Sequence, residues 1–89
     1  MSTVFLALQT NEETRPIIEA ILQDNPHAVV DEQPAMVKIN AEGKLVVRRE
    51  TIEDITGSDY DLQALQVNMI TMSGHLDQTD DEMTLYWKD

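Results

Sequence analysis

The side chains most able to do chemistry are few and scattered along this chain. The two histidines, His27 and His75, lie far apart, cysteine is absent, and no second histidine stands at the helical spacing that builds a zinc site. The acidic run Asp77–Glu82 has the composition of a calcium loop but lacks alternating ligands around a central glycine. We therefore expect no metal and no cofactor in this chain, and interpret both histidines as solvated or core-edge residues.

Acid–base and nucleophilic catalysis have equally little support. The adjacent carboxylates Glu53 and Asp54, like Asp80 and Asp81, do not share a face of a helix or strand. The three glycines are isolated, so a phosphate-binding loop and a nucleophile elbow are both absent. A small hydrolase is disfavoured because no nucleophile has a base beside it. No residue is predicted to be catalytic, and a protein that binds another protein is the better hypothesis.

Charge and length narrow the class of protein further. The formal net charge is -11 over 89 residues, which repels nucleic-acid phosphates and anionic lipids, so we expect neither nucleic acid nor membrane as a partner. The length predicts one domain over residues 1–89, and an apolar share of 42% supports a modest core. A signal peptide and a bilayer-spanning run of roughly 18 apolar residues are not evident, and cysteine is absent, so a cytoplasmic location is expected.

The elements that must position these side chains are short. One helix is predicted from the Thr10-x-x-Glu13 capping box, through an apolar stripe that includes Ile17 and Ile21, to Asn25-Pro26. A second begins at Thr51 and stops at Gly57, and Ser58-Asp59 caps a brief helical turn that reaches Leu65. Apolar runs and alternation predict six strands, at Val4–Leu8, Ala28–Val30, Ala35–Ala41, Lys44–Glu50, Val67–Ser73 and Glu82–Lys88.

The order β-α-β-β-β-α-α-β-β predicts an α+β fold: a small single domain with a mostly antiparallel sheet and two to three helices. The loop Asn40–Gly43 is predicted to close a hairpin between its flanking strands. Gly74–Asp81 is predicted to be a polar, acidic loop, and Trp87 on the last strand is predicted to pack into the core.

Three segments carry a family resemblance. The stretch Ile18–Val30, which reads IEAILQDNPHAVV, resembles the first helix and following strand of the regulatory component of bacterial multicomponent phenol hydroxylases. Pro34–Ile39 and Arg48–Glu53 resemble the same family, and the resemblance runs from about Leu6 to Trp87. The family includes component B of soluble methane monooxygenase and the effector proteins of toluene monooxygenases. It implies the monooxygenase regulatory-protein fold.

The resemblance also implies a function. Proteins of this family carry no cofactor; they dock on the large subunit of a non-haem di-iron hydroxylase and couple oxygen activation and NADH use to hydroxylation of phenol and related aromatics. The electrons reach the hydroxylase from NADH through a separate flavin and iron–sulfur reductase. An alternative hypothesis from another class is an acidic decoy that mimics nucleic-acid phosphates, but the carboxylates are scattered rather than aligned.

The resemblance maps the family's contact region onto a single stretch of this chain. The predicted partner-binding residues are Asn68, Met69, Ile70, Thr71 and Met72. Strand alternation predicts that Asn68, Ile70 and Met72 share one face, and that Met69 and Thr71 share the other. Truncating Asn68 or Thr71 is accordingly expected to weaken partner binding while leaving folding nearly intact. The free protein is a possible homodimer.

Overall fold

The computed structural model describes residues 3–87. Its strands are β1 (Thr3–Gln9), β2 (Val29–Gln33), β3 (Met36–Glu42), β4 (Lys44–Arg48), β5 (Met69–Ser73), β6 (His75–Gln78) and β7 (Glu82–Tyr86). Its helices are α1 (Thr14–Asp24), α2 (Arg49–Thr56) and α3 (Leu65–Asn68), the last preceded by a 3-10 turn at Leu62–Ala64. The predicted α+β class, with antiparallel strands and short helices, is confirmed.

The strands form two antiparallel sheets rather than one. Sheet A has the order β2-β3-β1-β5, and sheet B has the order β4-β7-β6. The predicted hairpin at Asn40–Gly43 is therefore wrong, because β3 pairs with β1 and β2 whereas β4 pairs with β7. Gly43, with a φ of +86°, turns the chain out of sheet A and into sheet B.

A second glycine makes the same crossing in the other half of the chain. The predicted acidic loop Gly74–Asp81 is wrong, because His75–Gln78 form β6 and pair with β7. Gly74, at a φ of +127°, joins β5 of sheet A to β6 of sheet B. The sequence pattern does not predict this strand, because β6 lies at a sheet edge and contacts the core through a single apolar side chain, that of Leu76.

We expect Gly74→Ala to destabilise the domain by about 2 to 4 kcal/mol, well beyond Gly43→Ala, at about 1 kcal/mol. A Cβ atom at Gly74 would lie 2.9 Å from Val4 Cγ1 and 3.3 Å from the Tyr86 carbonyl oxygen, whereas one at Gly43 would meet nothing within 4 Å. Urea denaturation of the two variants measures the difference. Equal losses of unfolding free energy in the two variants would mean that the positive φ alone requires glycine at position 74, and that the close approach of β1 and β7 does not.

The core lies between the two sheets and the helices. Alternate residues of β1, β3, β4 and β7 point into it and meet the apolar stripe of α1, with Leu6, Ile39, Leu45, Leu85 and Ile21 all fully buried. The longest described helix, α1, has 11 residues, and within residues 3–87 no helix is long and apolar enough to cross a membrane.

The prediction that Trp87 packs into this core is wrong. Its side chain is 43% exposed, and its Nε1 donates a hydrogen bond of 3.0 Å to the carbonyl oxygen of Thr3. The β4–β7 register pairs Lys44 with Tyr86, so the next position places Trp87 opposite Gly43, where the partner strand has already left the sheet. Because no side chain of β4 faces it, the indole ring remains partly exposed at the surface of the domain.

The helix starts differ from the predicted caps by a few residues. In α1 the reciprocal cap is Asn11-x-x-Thr14: the Asn11 N–H donates to Thr14 Oγ1 at 3.1 Å, and the Thr14 N–H donates to Asn11 Oδ1 at 2.9 Å. Helix α2 begins at Arg49 rather than Thr51, and the Arg49 N–H donates to the carbonyl oxygen of Asp81. Its predicted stop at Gly57 is confirmed, with a left-handed φ of +75°.

The last helical segment and the open edge of sheet B are each closed by a side chain that the sequence did not indicate. Asp61, not Ser58-Asp59, caps the 3-10 turn by accepting the Gln63 N–H at 3.0 Å. At the open edge of β4, the buried amide of Asn25 exchanges hydrogen bonds with both backbone groups of Val46, at 2.6 and 3.0 Å. Asn25 thus stands where a further strand would pair.

Candidate partner-binding surface

The stretch Asn68–Met72 lies where α3 passes into β5, at an edge of sheet A. Two large apolar side chains three residues apart in this region are exposed: Val67 at 77% and Ile70 at 47%. Thr71 is exposed beside them. We call Val67, Ile70 and Thr71 the contact ridge. Exposed apolar side chains grouped in this way mark a surface that gains free energy when a partner covers it.

The predicted alternation along this stretch is wrong, because β5 contains a bulge. Leu8 pairs with Met69 and Ala7 pairs with Thr71, so Ile70 has no partner across the ladder. Ile70 and Thr71 are consequently both exposed, while Met69 and Met72 are half-buried against the core. The bulge supplies two adjacent outward side chains where a regular strand would supply one.

Asn68 is not part of the strand and does not face solvent. It ends α3 and is only 4% exposed. Its Oδ1 accepts a hydrogen bond from Asn11 Nδ2 at 3.0 Å, and its Nδ2 donates to Glu13 Oε2 at 3.1 Å. The expectation that truncating Asn68 leaves folding nearly intact is corrected, since both of its amide groups are satisfied inside the chain.

The outer face of sheet A continues from the contact ridge. The register places Phe5, Ala7, Lys38 and Val29 on this face, because the residues between them point into the core. Lys38 Nζ lies 4.3 Å from the centre of the Phe5 ring, and Val29 is 65% exposed. The acidic residues projecting from this face within residues 3–87 are Asp31 and Glu42.

This distribution gives an otherwise acidic protein a surface with few charged side chains. Along β2, β3, β1 and β5, the contact ridge and the outer face of sheet A present apolar and neutral side chains, interrupted by the charged side chains of Lys38, Asp31 and Glu42. A surface of this kind has a smaller desolvation cost on docking than the carboxylate-rich helix starts and loops elsewhere.

The histidines and carboxylates considered as metal or acid–base groups make structural contacts instead. His27 Nε2 lies 3.2 Å from the Lys44 carbonyl oxygen, and the His75 ring packs at a tilt against Tyr86. Asp81 pairs with Arg49 at 2.7 Å, and Glu53 accepts the Tyr60 N–H at 2.9 Å. Among residues 3–87 no group of three or more His, Cys, Asp or Glu is placed to hold a metal ion.

The pKa of Tyr60 is strongly displaced. Burial of its hydroxyl, reinforced by the negative charges of Glu13 and Asp61, raises the pKa of Tyr60 to about 12. The phenol is therefore protonated and neutral at physiological pH. It adds no reactive oxyanion to the surface.

Comparison with known proteins identifies the fold and the family together. The sequence profile of the MmoB/DmpM family matches residues 2–86. The chain belongs to the MmoB/DmpM family. The resemblance to regulatory components of phenol hydroxylases is thereby confirmed.

Two sequence relatives have described roles. The stimulatory component DmpM of phenol 2-monooxygenase from Pseudomonas sp. (strain CF600) is 48% identical over 87 residues, covering 98% of this chain and 97% of that protein. The effector subunit of the alkene monooxygenase system of Xanthobacter autotrophicus (strain ATCC BAA-1158 / Py2) is 30% identical over 74 residues, covering 81% of this chain and 73% of that protein.

Solved structures support the same assignment. A chain from a phenol hydroxylase–regulatory protein complex superposes with a TM-score of 0.94 at 41% identity, covering 98% of this chain and all of that one. The regulatory protein B of soluble methane monooxygenase superposes with a TM-score of 0.76 at 24% identity, covering 97% of this chain and 65% of that one, which shows a shared fold.

Proposed function

We propose that this protein is the regulatory component of a phenol hydroxylase. It binds the large subunit of the di-iron hydroxylase and does not itself act on substrate. The observation that carries the proposal is near-complete alignment, at 48% identity, with a stimulatory component of phenol 2-monooxygenase. The superposition on a chain from a phenol hydroxylase–regulatory protein complex supports it. The alternative of an acidic decoy has no comparable support.

The hydroxylase docks on the contact ridge and on the adjoining outer face of sheet A. Docking covers the apolar parts of Val67, Ile70 and Val29, each of which now lies exposed to water. Burying apolar surface contributes roughly 25 cal/mol per Å² before the costs of association are subtracted. The contact residues thus include Ile70 and Thr71 directly, with Met69 and Met72 half-buried behind them and Asn68 beneath the surface.

Docking affects the hydroxylase rather than any group on this chain. The regulatory component adjusts access to the di-iron centre, so that oxygen activation and NADH use remain coupled to hydroxylation of phenol and related aromatics. Electrons come from NADH through a reductase that holds flavin and an iron–sulfur cluster. All of these components operate in the cytoplasm.

The test is a reconstitution with three purified components. The chain is titrated into hydroxylase and reductase, and phenol-dependent product and NADH consumption are both recorded. We expect product per NADH to rise and then saturate, and no product to form when the hydroxylase is omitted. An unchanged ratio across the titration would contradict the proposal. Sedimentation of the free chain beforehand shows whether it is a homodimer.

A further inference from the structure

Asn68 joins two parts of the domain that are distant in sequence. It lies between Val67 and Ile70 of the contact ridge, and its two hydrogen-bond partners, Asn11 and Glu13, lie in the loop between β1 and α1. We call these three residues the latch. One acceptor and one donor of the same amide are used, so the latch specifies asparagine by its hydrogen-bonding pattern as well as by its size.

The loop half of the latch is itself firmly held. The side chains and backbone of Asn11 and Thr14 cap each other, and Thr14 Oγ1 also donates to the Gln9 carbonyl oxygen at 2.7 Å. Thr14 is fully buried. The loop backbone that carries Asn11 and Glu13 is therefore held in place, and both side chains extend from it to hydrogen-bond Asn68.

The ridge half of the latch has little backbone support of its own. Helix α3 is a single turn of 4 residues, and β5 is an edge strand whose bulge leaves Ile70 without a ladder partner. A one-turn helix and a bulged edge are marginal elements that need tertiary contacts to adopt one conformation. Side-chain hydrogen bonds at their junction are well placed to set that conformation.

We infer that Asn68 is a positioning residue, and that the latch it forms with Asn11 and Glu13 holds the contact ridge in the conformation that the partner recognises. This inference rests on the proposed function, since the partner is the hydroxylase. A preformed ridge avoids the entropy cost of ordering Val67–Thr71 during docking, so opening the latch weakens binding without removing a contact atom.

An exchange of donor and acceptor tests the latch. Asn68→Asp replaces the donor facing Glu13 with a carboxylate oxygen and places two acceptors, both negative, about 3.1 Å apart. Glu13→Gln alone keeps an acceptor for Asn68 Nδ2. The double variant restores a donor and an acceptor between positions 13 and 68, with the donor now at position 13 and the acceptor at position 68. It keeps the parental net charge of -11.

We expect Asn68→Asp to raise the concentration of chain needed for half-maximal binding to the hydroxylase by about tenfold. Glu13→Gln is expected to stay within about twofold of the parent, and the double variant to recover most of the loss. Binding is measured by calorimetry without turnover. Hydrogen exchange provides a second readout, with faster exchange at residues 65–72 in Asn68→Asp and slower exchange again in the double variant.

Several outcomes would overturn the inference. These are parental binding by Asn68→Asp, a double variant no better than Asn68→Asp, or unchanged hydrogen exchange at residues 65–72 in all variants. If Asn68→Asp does not fold, recovery of both folding and binding in the double variant supports the latch, and failure to recover overturns it. If the parental chain fails to bind the hydroxylase, the proposed function fails, while the exchange data still decide whether the latch orders the ridge.

Discussion

Asn25→Ala is expected to lower the free energy of unfolding by about 3 kcal/mol, as the loss of a buried, fully used polar side chain requires. Asn25 is only 2% exposed. Its Nδ2 donates to the carbonyl oxygens of Ile21 and Val46, at 2.7 and 2.6 Å, and its Oδ1 accepts the Val46 N–H at 3.0 Å. Alanine would leave a half-buried backbone donor and acceptor on β4 without partners, and would remove the side-chain hydrogen bond to Ile21 at the end of α1.

The matched control is Asn40→Ala, which makes the same chemical change on the outer face of sheet A. Asn40 is half-buried, and we expect its truncation to cost less than about 1 kcal/mol. Urea denaturation followed by circular dichroism gives both values. A loss below about 1 kcal/mol for Asn25→Ala would show that water replaces the amide at the edge of β4, and that the side chain is dispensable for closing sheet B.

The sequence predicts those parts of the fold that depend on local periodicity. The stripe containing Ile17 and Ile21 predicts α1 because residues one helical turn apart must share the buried face. Alternation of Val37, Ile39 and Ala41 predicts β3 for the corresponding reason in a sheet buried on one side. Each pattern depends only on which residues are buried, so the sequence shows it without any knowledge of the element that packs against them.

Partition of the strands between two sheets is not set locally. A glycine between two strands is compatible with a hairpin or with a crossing, and Gly43 and Gly74 both serve as crossings. The choice depends on which strands are available to pair, and β7 comes near the end of the chain. The prediction for Trp87 is wrong for the same reason. Its exposure follows from the position at which β4 begins, whereas the alternation of Met83, Leu85 and Trp87 predicts burial.

The candidate surface was located by family resemblance and only partly oriented by the sequence. The stretch from Met69 to Met72 does lie at a sheet edge with exposed apolar neighbours, yet the bulge at Ile70 breaks the expected alternation, so that Ile70 and Thr71 both point outward. A bulge is fixed by pairing with β1, which is far away in sequence. The partners of Asn68, which are Asn11 and Glu13, are equally distant, so no local pattern indicates that its amide is buried.

The largest functional effect is expected from Ile70→Glu, which should leave the fold intact and raise the half-saturating concentration for the hydroxylase by at least about tenfold. Ile70 is 47% exposed and has no ladder partner, so a charged side chain there meets water in the free protein. In the complex the same carboxylate would be desolvated where Ile70 offers apolar surface, and desolvating a carboxylate costs several times the roughly 1.4 kcal/mol that a tenfold change represents.

Gln23→Glu is the matched control, because it changes the net charge by the same unit at an exposed position of α1 away from the contact ridge. It should bind the hydroxylase as the parent does. Thr71→Ala tests the neighbouring position and is expected to weaken binding by a smaller factor, since it removes one hydroxyl and adds no charge. Each variant is compared with the parent by thermal unfolding and by product per NADH across a titration. Equal titration curves for Ile70→Glu and Gln23→Glu would place the hydroxylase contact on another face of the domain, because an unpaired carboxylate in a docked interface cannot leave the affinity unchanged.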